Sequence, residues 1–194
     1  MLDDEMAPKR FPLSFIAVLT WLTVALTGCG GDDGSATAAP DYDAKLAGAP
    51  PKLARLHDQA NDLLGGGADA FEARLADLRG FPVVVNKWAS WCGPCRLEFP
   101  HFQEVSADYG ERVAFIGVDS DDSDDAAATF LSRYPVPYPS YSDPDQQVAE
   151  VFGATRGFPA TAFYDRGGRL VYLKQGPYTD SAQFEADLRK YALG

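Results

Sequence analysis

Val83-Val84-Val85-Asn86-Lys87-Trp88-Ala89-Ser90-Trp91-Cys92-Gly93-Pro94-Cys95 is a β-branched run that ends in two cysteines three residues apart. Its first half, Val83–Trp88, predicts a buried central strand. Its second half predicts a strand-to-helix turn, with a helix running to about Tyr109 and a kink at the interior Pro100. The N-terminus of such a helix offers unpaired N–H groups and a partial positive charge, which favour a thiolate over a thiol. Cys92, at or just before that terminus, is therefore expected to have a depressed pKa and to act as the attacking sulfur. Cys95, one turn further in, should be more buried and able to close an intramolecular disulfide. Pro94 suits the first helical turn, where a missing N–H costs little. Zinc sites use the same spacing, but a structural one needs about four ligands. Only one further cysteine and two histidines exist here, so redox chemistry is expected, with no metal and no cofactor.

At 194 residues the chain is long enough for one folded domain plus appendages, and its 46% hydrophobic content is that of a protein with a real core. A net charge of −11 argues against nucleic acid as a partner. Near the N-terminus, Lys9 and Arg10 precede an apolar run from Leu13 to Leu26. That run is too short for a hydrocarbon core that takes about 20 residues, and it fits the apolar region of a signal peptide. Its end, Leu26-Thr27-Gly28-Cys29, resembles a bacterial lipoprotein lipobox. The resemblance implies a signal peptide over 1–28, cleavage after Gly28, lipidation of Cys29 and anchoring to a membrane. Residues 29–51 are then the lipidated cysteine and a flexible tether, poor in large apolar groups. Such a tether reaches roughly 25 Å, ahead of a domain over 52–194.

Within that domain, Leu53, Leu56, Ala60, Leu63 and Leu64 predict a helix over Lys52–Leu64, closed by Gly65-Gly66-Gly67. Phe71, Leu75 and Leu78 leave the next segment open between helix and strand. Further elements are a strand over Arg112–Val118, a helix over Asp124–Tyr134 and a proline-rich connection over Pro135–Pro144. A short helix over Asp145–Phe152 follows. Pro159–Tyr164 and Arg169–Gln175 then read as a hairpin, and Asp180–Leu193 as a last helix. Alternating β and α elements followed by a hairpin and helix imply an α/β fold, a mixed central sheet with helices on both faces.

The run Val85–Cys95 is similar to the active-site strand and motif of thioredoxin-fold proteins. The continuation Arg96-Leu97-Glu98-Phe99-Pro100 resembles, more narrowly, the membrane-tethered TlpA/ResA-type thiol–disulfide oxidoreductases. A second match is Arg156-Gly157-Phe158-Pro159-Ala160-Thr161, whose proline is cis in that family and packs against the two cysteines. The resemblance covers residues 70–192 and implies a thioredoxin-like three-layer fold. It implies Cys92 and Cys95 as a redox-active disulfide, and a substrate-facing surface of Trp91, Gly93, Pro94, Phe158 and Pro159. Backbone beside Pro159 would bond an extended substrate segment as an added strand. Trp91 would shield the sulfurs and offer an apolar contact, while Trp88 belongs to the core.

Proton handling departs from thioredoxin, which places a buried Asp where Asn86 stands and a Lys where Phe115 stands. In ResA-like proteins an acid after the motif takes part in proton transfer, which implies Glu98 as the group that receives the Cys95 proton. Lys87 stands where the family has an aromatic, and it is expected to pair with an acid near the active site, because a buried ammonium needs a counter-charge. The run Asp119, Asp121, Asp122, Asp124, Asp125 reads as a solvated loop and helix cap, and Tyr134–Tyr141 as a packed loop.

The expected activity is that of an extracytoplasmic, lipid-anchored enzyme on the outer face of a bacterial cytoplasmic membrane. It would be a monomer that reduces disulfides in exported proteins, apocytochrome c among them, and is re-reduced by a membrane electron donor. A net disulfide donor, a peroxiredoxin-like thiol peroxidase and a non-catalytic protein-binding module stay as alternatives.

Overall fold

In the computed structural model, which describes residues 39–194, six strands form one mixed sheet in the order β1-β4-β3-β2-β5-β6. The strands are β1 (Leu63–Leu64), β2 (Val83–Trp88), β3 (Ala114–Ser120), β4 (Ser140–Asp143), β5 (Ala160–Tyr164) and β6 (Leu170–Gln175). β2 lies at the centre, parallel to β3 and antiparallel to β5, and every one of its residues is buried. Burial on both faces is why this stretch opens with three consecutive valines, and it makes Asn86 and Lys87 buried polar residues.

Helices cover both faces. On one side α4 (Gly93–Tyr109), α5 (Asp124–Arg133) and α7 (Ser181–Asp187) pack Phe99, Phe102, Phe130, Leu131 and Phe184 against Val84, Trp88, Phe115 and Phe163. On the other, α2 (Pro51–His57), α3 (Gly67–Asp77) and α6 (Gln147–Val151) set Leu53, Leu56, Phe71 and Val148 against Val83, Val85, Ile116 and Ala162. The expected three-layer α/β architecture is present. Phe71 and Leu75 belong to α3, which resolves that segment as helix.

Three boundaries differ from the sequence reading. The helix expected over Lys52–Leu64 stops at His57. Asn61 takes a left-handed backbone (φ 62°), and Leu63 and Leu64 then pair with Ser140 and Tyr141 as an edge strand. A helical spacing of leucines cannot reveal that two of them are worth more in a sheet edge. The connection Pro135–Pro144 contains β4, whose polar side chains each find a partner. Ser140 Oγ accepts from Trp88 Nε1 at 3.2 Å, and the Asp143 carboxylate accepts from Val148 N, Ala149 N and Ser120 Oγ. Buried polar groups tolerate such positions when bonded, so a segment without apolar alternation still forms a strand.

The third difference is at the start of the folded part. It begins at Asp41, which caps α1 (Tyr42–Leu46), and not at residue 52. Leu46 is buried, Tyr42 donates to Pro135 O, and Lys45 pairs with Asp108 of α4. The expected tether is therefore shortened, because one apolar and one aromatic residue suffice to dock it. The signal peptide, Gly28–Cys29 and the first tether residues lie outside the described residues.

Gly117 on β3 is fixed by a close approach. A Cβ there would stand 2.1 Å from Ser140 Oγ and 2.9 Å from Trp88 Nε1. The missing side chain lets those two groups meet across the sheet.

Candidate active site

The strand β2 delivers its C-terminal end, Ala89-Ser90-Trp91, directly to the start of α4. Cys92 is the residue that caps this helix, in extended backbone (φ −78°, ψ 107°), and its Sγ accepts from Cys95 N at 3.1 Å. Gly93 and Pro94 occupy the first two helical positions, where Pro94 forfeits no helical hydrogen bond. Cys92 and Cys95 are joined by a disulfide, with Cα atoms 5.3 Å apart. Cys95 is wholly buried and Cys92 is 3% exposed. On reduction the freed Cys92 sulfur keeps a helix N-terminus and a backbone N–H aimed at it, both of which favour the thiolate.

The second sequence motif closes the site. The peptide bond Phe158–Pro159 is cis, and Pro159 is buried beside the half-buried Phe158. The Phe158 ring meets Trp91 edge-on, centroids 4.9 Å apart. Trp91 is 54% exposed, and its Nε1 donates to Asp121 O at 2.8 Å. The indole is thus held on two sides and open on the third. Leu97, on the next turn of α4, is exposed as well.

The acidic run from the end of β3 to the first turn of α5 does more than solvate a strand end. Asp122 Oδ2 accepts from Ser90 N at 2.5 Å and Oδ1 from Ser123 N, while Ser123 caps α5. These bonds and the Asp121 carbonyl pin the turn that carries Cys92. Asp119, 1% exposed, has both carboxylate oxygens without a hydrogen-bond partner. Its burial, then the neighbouring Asp122, push its carboxyl up to about 8. Composition alone made this run look like surface; its position after β3 makes it a clamp. Among the described residues no three His, Cys, Asp or Glu side chains gather where a metal ion could be held.

Glu98, one turn after Cys95, is fully buried. Its Oε1 accepts from Asn86 Nδ2 at 2.9 Å and its Oε2 from Tyr178 N at 3.2 Å. Burial raises the carboxyl to about 8, against the pull of these two hydrogen bonds and of the Lys174 charge. Asn86, Thr161 and Lys174 stand opposite one another on β2, β5 and β6. Asn86 Oδ1 and Thr161 Oγ1 are buried with no hydrogen-bond partner. The Asn86 side chain therefore serves to orient Glu98. The cation absent from the Phe115 position is supplied three strands away by Lys174, whose Nζ donates to Gly176 O and Pro177 O. Only strand register brings Lys174 to this row, so no sequence motif could have shown it. Phe115 itself stacks on Tyr138 and meets Phe184 edge-on in the core.

The expectation that Lys87 pairs with a carboxylate is corrected. Its side chain is fully buried on the α3/α6 face, where Nζ donates to Gln146 Oε1 at 2.9 Å and Ala154 O at 2.8 Å. The ammonium also sits 4.0 Å from the centre of the Phe158 ring. Burial lowers its pKa, and the more distant charges of Asp143 and Asp121 only partly oppose this. Neutral acceptors and an aromatic face replace the counter-ion, since the strand's length delivers the ammonium to the loop that ends in Phe158. Lys87 thereby ties β2 to the segment carrying the cis proline.

A disulfide capping a helix, with a cis proline beside it on a mixed sheet, defines a thioredoxin-fold thiol–disulfide enzyme. The chain belongs to the AhpC/TSA family, whose model matches residues 56–173. It is similar to the thiol-disulfide oxidoreductase ResA of Oceanobacillus iheyensis, 29% identical over 133 residues that cover 66% of this chain and 69% of that protein. Among solved structures it resembles a putative thiol:disulfide interchange protein DsbE from Chlorobium tepidum. That likeness has a TM-score of 0.56 at 31% identity over 62% of this chain and 85% of the other. The exposed lipoprotein thioredoxin of Streptococcus pneumoniae follows, with a TM-score of 0.51 at 26% identity over 60% and 89% of the two chains. The ResA proteins are matched over about two thirds to three quarters of their own length, 66% to 73%. This chain is an enzyme of the thiol–disulfide oxidoreductase class.

Proposed function

We propose that this enzyme is a lipid-anchored, extracytoplasmic reductase of disulfides in exported proteins, with apocytochrome c among its substrates. The observation that carries the reading is the Cys92–Cys95 disulfide at the N-terminus of α4, beside the cis Phe158–Pro159 bond. In the reduced enzyme the Cys92 thiolate attacks one sulfur of a partner's disulfide, and the other sulfur leaves as a thiolate. Cys95 gives its proton to Glu98 in its ionised form, the minor one at neutral pH because burial raises the carboxyl to about 8, and attacks Cys92 Sγ, which releases the partner's second sulfur. The partner gains two electrons, its two thiolates take one proton from Glu98 and one from water, and the enzyme becomes the Cys92–Cys95 disulfide. A membrane-bound electron donor then returns two electrons to it. Trp91, Gly93, Pro94, Phe158 and Pro159 form the surface that receives the partner.

Anchoring rests on Leu26-Thr27-Gly28-Cys29 and on the preceding apolar run. Support comes from the pneumococcal protein, which is itself described as an exposed lipoprotein. Reduction of insulin disulfides by the dithiol enzyme tests the activity, with full loss expected in Cys92→Ser. Equal rates for the two would leave only a binding module. Cys95→Ser is expected to accumulate mixed disulfides, and mass spectrometry of these identifies the partners. Equilibration of the domain with glutathione fixes the direction, a strongly oxidising potential being the outcome that would make it a disulfide donor.

A further inference from the structure

Beside the active-site turn, Ser90 and Arg96 face α5 across a groove of about 330 Å³. The far wall is Ala126, Thr129, Phe130, Arg133 and Tyr134. Ser90 is two residues before Cys92, and Arg96 follows Cys95. Anything seated in the groove therefore borders the disulfide. The floor is rigid. Phe130 is 5% exposed and packs on Trp88, Phe99 and Tyr134 with ring centres 4.7–5.0 Å apart.

The side chains lining this groove are opposite in charge to the chain as a whole, although the Asp122 carboxylate borders it at Ser90 N. Acidic residues outnumber basic ones 28 to 17, yet the lining holds two guanidinium groups and no carboxylate. Among the described residues the ion pairs are Lys45–Asp108, Lys52–Asp77, Arg169–Asp165 and Arg189–Glu185. Arg96 and Arg133 belong to none of them. Arg96 makes one weak contact, Nη2 to Ser90 O at 3.2 Å, which leaves most of its donors free. A guanidinium matches a carboxylate with two parallel hydrogen bonds.

We propose that this groove is a specificity site that receives an Asp or Glu side chain of the substrate protein, located a few residues from the cysteine under attack. Arg96 and Arg133 are its determinants. The site deepens the reading of the enzyme as a protein-disulfide reductase and rests on it.

The test uses the reduced enzyme and three peptides, each with one intramolecular disulfide, that differ only in a Glu, Gln or Lys near the first cysteine. Neutral hydroxyethyl disulfide is run alongside. The expected order of kcat/KM is Glu above Gln above Lys. The Glu-to-Lys ratio should be about tenfold at low salt and should shrink as salt is added. Arg133→Glu is expected to invert that ratio, and Arg133→Gln and Arg96→Gln to shrink it towards one. Because each ratio compares two peptides on one enzyme, a general loss of activity does not mimic the effect. Equal rates on all three peptides, with hydroxyethyl disulfide still reduced, would overturn the groove and leave the reductase intact. A preference for Glu that survives Arg133→Glu would place the recognition elsewhere. Failure on every disulfide would overturn the reductase reading itself.

Discussion

Replacing Glu98 by Gln should change the slope of stability against pH more than stability itself. The carboxyl titrates near 8 in the fold, against an ordinary value of 4.5, because burial outweighs its hydrogen bonds and the charge of Lys174. An acid raised in this way holds a proton that the unfolded chain releases. Its contribution is fully present below pH 4.5 and is lost as pH rises through 8. Linkage between those two values gives a loss of about 4 kcal/mol between pH 5 and pH 9. Gln keeps the acceptor for Asn86 Nδ2 but turns an amide towards Tyr178 N, leaving a buried donor unpaired at a cost of roughly 1–3 kcal/mol. The variant should thus be the less stable protein at pH 5 and the more stable one at pH 9. Urea unfolding with the disulfide intact reads this directly and keeps sulfur titration out of the measurement. With slopes of about 1–3 kcal/mol per molar urea, the gap between the two midpoints should move by about 2 M across the pH range. Other groups cancel in the difference. A gap that stays constant within about 1 kcal/mol would show that Glu98 is solvated, and the proton-carrier role proposed for it would go with that result.

Lys174→Met removes the cation that lowers the Glu98 carboxyl, so that carboxyl should titrate above 8, as followed by its infrared band; an unmoved band would remove Lys174 from the site. Asp119→Asn should gain stability over wild type as pH rises, because the native carboxyl contributes most below 3.8 and loses its contribution through about 8. Urea midpoints at pH 5 and 9 test this, and parallel behaviour of the two proteins would refute it. Lys87→Met leaves Gln146 Oε1 and Ala154 O without their donor and should cost roughly 2–4 kcal/mol. Amide exchange over residues 154–159 should rise, and unchanged protection there would show that Lys87 does not hold the cis-proline loop.

The local chemistry of this protein was legible in one dimension. The run Val83–Cys95 specifies a buried strand feeding a helix, and Phe158–Pro159 is a second motif that structure brings against the first. Those features depend on short-range rules of patterning and backbone geometry, which act between neighbours in the chain. The helix over Gly93–Tyr109 and the hairpin of β5 and β6 follow for the same reason. Conversely, β1, β4 and α1 owe their existence to distant partners. Leu63–Leu64 needs Ser140–Tyr141 alongside, and Tyr42 needs the Pro135 carbonyl.

Sequence by itself pointed to the residues proposed to carry the chemistry, since reactive types and their spacing are local properties. Tertiary structure alone decided how each is tuned. Strand register set Asn86, Thr161 and Lys174 in one row beside Glu98, and the fold of the loop after β3 turned Asp122 into a clamp on Ser90. The fold likewise gave the Lys87 ammonium neutral partners where the burial of a charge had suggested an acid. Tuning depends on solvent exclusion and through-space charge, and both exist only once the layers have closed.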